Sequence, residues 1–344
     1  MRVAGGPGGL GGAPTLEQVA ALAGVSRATV SRVVNGSPRV SAEARAQVQR
    51  AVAKLGYVPN RAARSLVTRR ADSIALVVSE PQARFFSEPF FAGMVRGISA
   101  ALARTDVQLV LLIAQDLPDR GRLERYVTGG HVDGVLLVSL HGDDPLPRTL
   151  ERAGVPAVIA GRPAGRSPVS YVDADNRGGA TEAVAHLVRR GRRRIAIVAG
   201  PLDMGAGMDR LDGYRDGLLA AGLPRPAELV EVGDFGEESG AAATRRLLDR
   251  APDLDAVFAA SDLMAAGALR ALKAAGRRVP GDVAVIGFDD SAIAAYAEPP
   301  LTTVRQPVEE MGRQMTRLLL AKVAGDAAGV SVVLQTELVV RASA

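Results

Sequence analysis

The chain has 344 residues, of which 47% are hydrophobic and 23% charged, a balance that excludes wholesale disorder. It contains no cysteine and only three histidines, which excludes disulfide scaffolds, thiolate metal sites and thiol nucleophiles. At about 100–200 residues per domain, the length allows two or three domains. No apolar run approaches the roughly 20 residues that a membrane helix needs. We therefore expect no metal, no cofactor and no membrane span.

The net charge of +5 is unevenly distributed. Between residues 15 and 70, nine arginines and Lys54 stand against Glu17 and Glu43, giving +8, while residues 71–344 carry about −4. A small basic segment joined to a mildly acidic body is typical of a nucleic-acid reader, although a solvated charged face has the same composition. Residues 1–14 hold six glycines and no apolar run. They predict a disordered tail rather than a signal peptide, and hence a cytoplasmic protein.

The first predicted elements are three short helices. Thr15 and Gln18 form a capping-box pattern before a helix that ends at Gly24. Ser26 caps a second helix over 27–34, and Ser41 caps a third that runs to Leu55. Two short helices joined by a glycine-containing turn make a helix-turn-helix, whose second helix enters the major groove of DNA. A three-helix bundle without a partner is the alternative.

The start of the second helix carries the side chains that can read bases. Arg27 and Arg32 can each bond a guanine, and Ala28 can contact a thymine methyl. Further along, Leu66 lies in a basic segment, where it can act as an apolar wedge in the minor groove or simply belong to a linker.

The segments VSRATVSRVVNG at 25–36, GYVPN at 56–60 and ARSL at 63–66 resemble the LacI/GalR (lactose-repressor) family of bacterial transcription regulators. The resemblance implies that Leu66 opens the centre of a palindromic operator, and that a hinge helix folds only on operator DNA in a dimer. The DNA contacts expected from motif and resemblance are Thr15, Ser26, Arg27, Ala28, Thr29, Ser31, Arg32, Asn35, Tyr57, Asn60, Arg61, Ala63, Arg64 and Leu66.

From residue 72 onward, short apolar runs alternate with amphipathic segments. One series comprises residues 74–78, 107–113, 134–138 and 156–160, and a second comprises 195–199, 229–232, 256–260 and 283–287. Continuous apolar runs predict parallel strands that are covered on both faces, and two series predict two lobes with a ligand cleft at the strand ends. Residues 330–340 should add a final strand pair that spans both lobes.

The predicted fold class is an all-α helix-turn-helix domain followed by an α/β two-lobed, periplasmic-binding-protein-like domain with two parallel sheets. The expected boundaries are 1–14 for the tail, 15–60 for the helix-turn-helix, 61–71 for the hinge and 72–344 for the lobes. Lobe 1 should cover about 72–171 and 304–331, and lobe 2 about 172–303 and 332–344.

Strand ends and the resemblance together indicate a set of effector-binding residues. A guanidinium suits vicinal hydroxyls, a carboxylate accepts from hydroxyls, and an aromatic ring stacks on a sugar. Phe91 is placed by the resemblance at a stacking position, although either Phe90 or Phe91 could instead anchor the following helix. Ser261 and Gly161 depart from the commonest family pattern, which leaves the sugar open. The expected set is Ser79, Phe90, Phe91, Arg162, Arg210, Phe235, Ser261, Asp289 and Gln306.

The chain has no dinucleotide fingerprint, no P-loop and no nucleophile elbow. The sequence thus predicts a cytoplasmic, nucleoid-associated homodimer that acts as a repressor, is not an enzyme, and responds to a sugar-like effector. One alternative is a sugar-binding protein or sugar-acting enzyme with an incidental N-terminal domain. Another keeps the DNA binding with a cleft that holds no effector.

Overall fold

The computed structural model describes residues 14–34, 37, 39–58, 70–114, 117–163, 169–326 and 329–344. The chain divides into two compact units, Met1–Ala71 and Asp72–Ala344. Within the described ranges, no helix is both long enough and apolar enough to cross a membrane.

The first unit consists, in its described part, of three helices with the predicted bounds: α1 (Leu16–Ala23), α2 (Arg27–Val34) and α3 (Ala42–Leu55). The capping box is present, because the backbone N–H of Gln18 donates to Thr15 Oγ1 at 3.3 Å and that of Thr15 donates to Gln18 Oε1 at 2.9 Å. Gly24 adopts φ +66°, the left-handed conformation that ends a helix at little cost for glycine.

One apolar face from each helix forms the core of this unit. Val19, Val30 and Val48 are fully buried at its centre. Their spacing on the three helices leaves the outer face of α2 in solvent, which is the face that the helix-turn-helix interpretation requires.

The second unit alternates strands and helices, as predicted. Its strands are β1 (Ser73–Val78), β2 (Gln108–Ile113), β3 (Gly134–Val138), β4 (Ala157–Ala160), β5 (Ser170–Ala174), β6 (Ile195–Ala199), β7 (Val230–Val232), β8 (Ala256–Ala259), β9 (Ala284–Asp289), β10 (Thr302–Arg305), β11 (Ser331–Leu334) and β12 (Glu337–Val339). Its helices are α4 (Gln82–Ser87), α5 (Pro89–Leu102), α6 (Leu117–Thr128), α7 (Leu146–Arg152), α8 (Asn176–Arg189), α9 (Gly205–Ala220), α10 (Glu237–Arg250), α11 (Asp262–Ala274), α12 (Ala292–Tyr296) and α13 (Val308–Ala324).

The strands form two sheets, one per lobe. The first has the order β2-β1-β3-β4-β5-β11 and is parallel throughout. The second has the order β7-β6-β8-β9-β10-β12 and is parallel except for β12, which pairs antiparallel to β10. In both sheets the strand order reverses at the first strand, and such a switch point opens a crevice at the carboxyl ends of the strands.

The chain passes between the lobes later than the sequence suggests. All of β5 pairs within the first sheet, so the expected boundary at 171 falls inside a strand. Likewise 303 falls inside β10, which pairs within the second sheet, and 331 is the first residue of β11. The chain therefore crosses between the lobes after residues 174, 305 and 334, because each of these three strands pairs with neighbours of a single sheet. The last strand pair spans both lobes as predicted.

Candidate functional site

A cavity of about 290 Å³ lies between the two lobes, at the carboxyl ends of strands from both sheets. The structure places seven of the nine expected effector residues around it, namely Phe90, Arg162, Arg210, Phe235, Ser261, Asp289 and Gln306. The cavity is large enough for a small organic ligand.

Arg210, on α9, is the most constrained cation of this cavity, with only 4% of its surface exposed. Its Nε donates to Asn176 Oδ1 at 2.8 Å and its Nη1 to the carbonyl oxygen of Ala260 at 2.6 Å. The guanidinium carbon lies 3.7 Å from the ring centre of Phe288, so the planar group stacks on an aromatic face. These contacts hold the guanidinium in one orientation before any ligand arrives.

Asp289, at the end of β9, is the acidic partner of Arg210 at 3.6 Å. Its Oδ1 also accepts a 2.6 Å hydrogen bond from Gln306 Nε2. Burial raises the pKa of Asp289, and the nearby Arg210 opposes that shift. The residue has φ +116°, a region that non-glycine residues rarely occupy. Backbone strain of this kind persists where surrounding contacts over-determine it, as in a ligand site.

Phe235 covers the second-lobe side of the cavity. Its ring centre lies 5.5 Å from the guanidinium carbon of Arg210. A Cβ atom added at Gly200 would stand 2.2 Å from two carbons of the Phe235 ring, so the glycine makes room for the ring. The backbone carbonyl of Phe235 accepts from Ser261 Oγ at 2.8 Å, which fixes the loop that carries the ring.

Two residues of the cavity wall, Asp173 and Asn176, were not among the expected contacts. Asn176 Nδ2 donates to Asp173 Oδ1 at 2.9 Å, and Asp173 Oδ2 accepts from the backbone N–H of Arg162 at 3.1 Å. Burial raises the pKa of Asp173 to about 6. The sequence signal that could have found them is an aspartate and an asparagine, three residues apart, beside the expected lobe boundary at residue 171.

Two of the expected effector residues do not line the cavity, and a third lines it while its hydroxyl group is engaged elsewhere. Phe91 is 2% exposed and belongs to the core of the first lobe, where it anchors α5, and its neighbour Phe90 lines the cavity instead. Ser79 does not line the cavity. Ser261 does line it, but its hydroxyl donates to Phe235 and accepts from the backbone N–H of Met264 at 3.1 Å, so it caps α11.

The expected DNA-reading side chains Arg27, Ala28 and Arg32 are solvent-exposed on α2, the first two at its start and Arg32 in its last turn. Arg27 Nε pairs with Glu17 Oε1 at 3.0 Å, and both side chains are more than half exposed. Tyr57 is the exception, because only 8% of it is exposed and it packs in the three-helix core. Six expected contacts lie outside the described residues: Asn35, Asn60, Arg61, Ala63, Arg64 and Leu66.

Comparison with known proteins supports both the helix-turn-helix and the two-lobed domain. Residues 15–60 match the family described as bacterial regulatory proteins, lacI family, and residues 184–344 match the periplasmic binding protein-like domain. The HTH-type transcriptional regulator CelR of Thermobifida fusca is 58% identical over 333 residues, which is 96% of this chain and 98% of that protein. The chain belongs to the LacI family.

Solved structures of family members show the same fold. A transcriptional regulator CelR–cellobiose complex has 56% sequence identity and a TM-score of 0.79, over 96% of this chain and 100% of that one. A Lac repressor dimer bound to operator and an anti-inducer has 29% identity and a TM-score of 0.84, over 96% and 99%. This LacI-family protein is therefore a DNA-binding transcriptional regulator with a two-lobed α/β domain, and not an enzyme.

The cavity of this LacI-family regulator has an excess of acidic groups. Among the residues that the structure describes, three guanidinium groups line it, those of Arg148, Arg162 and Arg210. Seven carboxyl groups of the same described residues line it as well: Glu88, Asp143, Asp144, Glu151, Asp173, Asp203 and Asp289. Burial raises the pKa of Glu88, Asp173 and Asp289, which reduces the negative charge of this wall, and its carboxyl groups offer many acceptors to hydroxyl groups.

Proposed function

We propose that this LacI-family regulator is a homodimeric repressor whose affinity for a palindromic operator changes when cellobiose, or a closely related neutral disaccharide, occupies the cleft. The observation that carries the proposal is the buried Arg210–Asp289–Gln306 cluster in an acid-rich cavity. This cluster presents both donors and acceptors in fixed positions. The similarity to CelR, whose structure is a cellobiose complex, supports the choice of sugar.

The polar groups of the cavity support a neutral sugar rather than a sugar phosphate. Hydroxyl groups can donate to the carboxyl groups and accept from Arg210, whereas a phosphate only accepts hydrogen bonds from protein donors and has more carboxyl than guanidinium groups around it. Phe90 and Phe235 add aromatic surface, on which the apolar face of a pyranose ring can stack. The volume of about 290 Å³ allows more than one ring.

The proposed DNA binding is based on the exposed face of α2. Arg27 and Arg32 are exposed on this helix and can bind guanine edges in the major groove, and Arg27 would exchange its contact with Glu17 for a base. Since the similar Lac repressor structure is a dimer on operator DNA, we infer that two copies of this chain read a two-fold symmetric site. Such a protein acts on the nucleoid in the cytoplasm.

Calorimetric titration of the purified protein tests the effector, with glucose and glucose 6-phosphate as comparison ligands. We expect cellobiose to bind, glucose to bind more weakly and the phosphate not to bind. Fluorescence anisotropy on a palindrome selected from random duplexes then tests coupling, with and without cellobiose. DNA affinity that is equal for the palindrome and a scrambled duplex would refute the operator proposal. Failure of cellobiose to bind would refute the proposed effector.

A further inference from the structure

A contact between the lobes passes through His141, which lies in the loop after β3. Its Nδ1 is 2.9 Å from Asp203 Oδ2 in the second lobe, and its Nε2 is 3.0 Å from Glu80 Oε1 in the first lobe. Next to it, the backbone N–H of Gly142 donates to the carbonyl oxygen of Asp203 at 2.8 Å. The imidazole therefore bridges two carboxylates on opposite sides of the cleft.

The chemistry of this bridge depends on one proton. A carboxylate only accepts hydrogen bonds, and a neutral imidazole has one N–H, so neutral His141 can bond only one of its two partners. The imidazolium form has two N–H groups and can bond both Glu80 and Asp203. Of these two hydrogen bonds, only the one to Asp203 joins the two lobes.

Other charged groups surround the bridge. Arg84 on α4 pairs with Oε2 of Glu80 at 3.1 Å, on the oxygen away from the imidazole. Asp143 and Asp144 lie on the same loop as His141, and Arg120 on α6 pairs with Asp144 at 3.6 Å.

The pKa of His141 is raised, first by the hydrogen bond to Glu80 and also by Asp203, while burial opposes the shift. The raised pKa therefore agrees with the geometry, because two carboxylate acceptors beside the two ring nitrogens also favour the imidazolium form.

We propose that His141 is a positioning residue that ties the two lobes together as an imidazolium between Glu80 and Asp203, so that protonation favours the ligand-holding arrangement of the cleft. The proposal rests on the proposed function to the extent that a sugar binds between the lobes. Because Asp203 reaches His141 only where the lobes meet, that arrangement holds the proton more tightly than one with the lobes apart.

The sign of the pH effect follows from this linkage. Stabilisation by the bridge is present while His141 is protonated and is lost as the pH rises through its raised pKa. Sugar affinity should then fall with rising pH. His141 is 29% and Asp203 53% exposed at the side chain, so water and salt weaken the pair. We therefore expect a change of about two- to five-fold.

NMR of ¹³C-labelled histidine in the ligand-free, full-length protein tests the bridge without any sugar. The chain has only three histidines, so His141→Gln assigns the signal of His141 by its disappearance. We expect the pKa of His141 to be above that of a free histidine in the wild type, and to fall in the Asp203→Asn variant. An identical pKa in the wild type and in Asp203→Asn would overturn the proposal, because the second lobe would then not reach the imidazole.

Cellobiose titration at pH 6 and pH 8.5 gives the functional readout. Between pH 6 and pH 8.5, the affinity for cellobiose should fall by a factor that is two- to five-fold larger in the wild type than in His141→Gln. His131→Gln is the matched control, because His131 stacks on Tyr126 within the first lobe, and it should retain the wild-type dependence. Equal pH dependence in the wild type and in His141→Gln would overturn the proposal. If cellobiose does not bind the wild type, the proposed effector fails, and the NMR result still decides the bridge.

Discussion

Replacing Arg210 by methionine keeps most of the side-chain volume and removes the guanidinium. The change takes away the donors to Asn176 Oδ1 and to the carbonyl oxygen of Ala260, both of which are buried. It also removes the cation beside Asp289. Since burial already raises the pKa of that carboxyl, we expect Asp289 to stay protonated in the variant and thereby avoid an isolated buried charge.

The structure sets the size of both expected effects. Two buried acceptors that lose their donors cost about 1–3 kcal/mol each. The variant also no longer desolvates a guanidinium, so the net loss of stability should be about 3 kcal/mol. For a domain of this size, that lowers Tm by about 5–10 °C. A ligand that loses one charged hydrogen bond loses about 1.5–3 kcal/mol, which corresponds to roughly 10- to 150-fold weaker sugar binding.

Calorimetric titration with cellobiose and thermal unfolding measure these two effects, and operator anisotropy shows whether DNA binding persists. Arg215→Met is the matched control, because Arg215 lies on the same helix, is half-exposed and pairs only with Asp212 among the contacts described. Operator affinity should be unchanged in both variants, with the sugar response lost in Arg210→Met alone. Sugar affinity within three-fold of wild type in Arg210→Met would refute the role assigned to the guanidinium.

Three further predictions concern other parts of the molecule. Gly200→Ala should displace the ring of Phe235, lower the free energy of unfolding by about 1–3 kcal/mol and weaken sugar binding, whereas Gly281→Ala, with 3.6 Å of clearance, should do neither. Thr15→Ala should cost about 1 kcal/mol in denaturant unfolding of the helix-turn-helix, with sugar affinity unchanged. Because burial raises the pKa of Asp173 to about 6, its folded form holds the proton more tightly than the unfolded chain. Stability should therefore fall by about 2 kcal/mol from pH 4 to pH 6, and urea unfolding of Asp173→Asn should lack this slope.

Local sequence patterns were sufficient for most of the elements, but not for β5 and β10, which lie at the expected lobe boundaries. A capping residue acts within one turn of its helix, which is why Thr15, Ser26 and Ser41 mark helix starts that the structure reproduces to the residue. Continuous apolar runs mark strands buried on both faces, and the eight runs expected in the lobes all coincide with strands, to within one or two residues at most ends.

The side chains that line the cleft could be predicted only where they belong to a recognisable sequence motif. Arg210 and Asp289 stand in recognisable segments, and the structure places both at the cavity. Phe90 and Phe91 are neighbours of the same type, and only the packing of α5 against its sheet decides that Phe91 is buried while Phe90 lines the cleft. A pattern of residue types cannot distinguish them, because the rotation of a helix about its axis is set by the surface that it covers.

The sequence by itself determined the family of this protein, through the resemblance of its motifs, and most of its helices and strands, because these depend on short-range periodicity and capping. Tertiary structure alone decided the pairings. Asn176 orients Arg210 across 34 positions of the chain, and His141 meets Asp203 across 62. The first contact joins two helices that pack against each other in the second lobe, and the second contact joins the two lobes, and no local pattern encodes either distance.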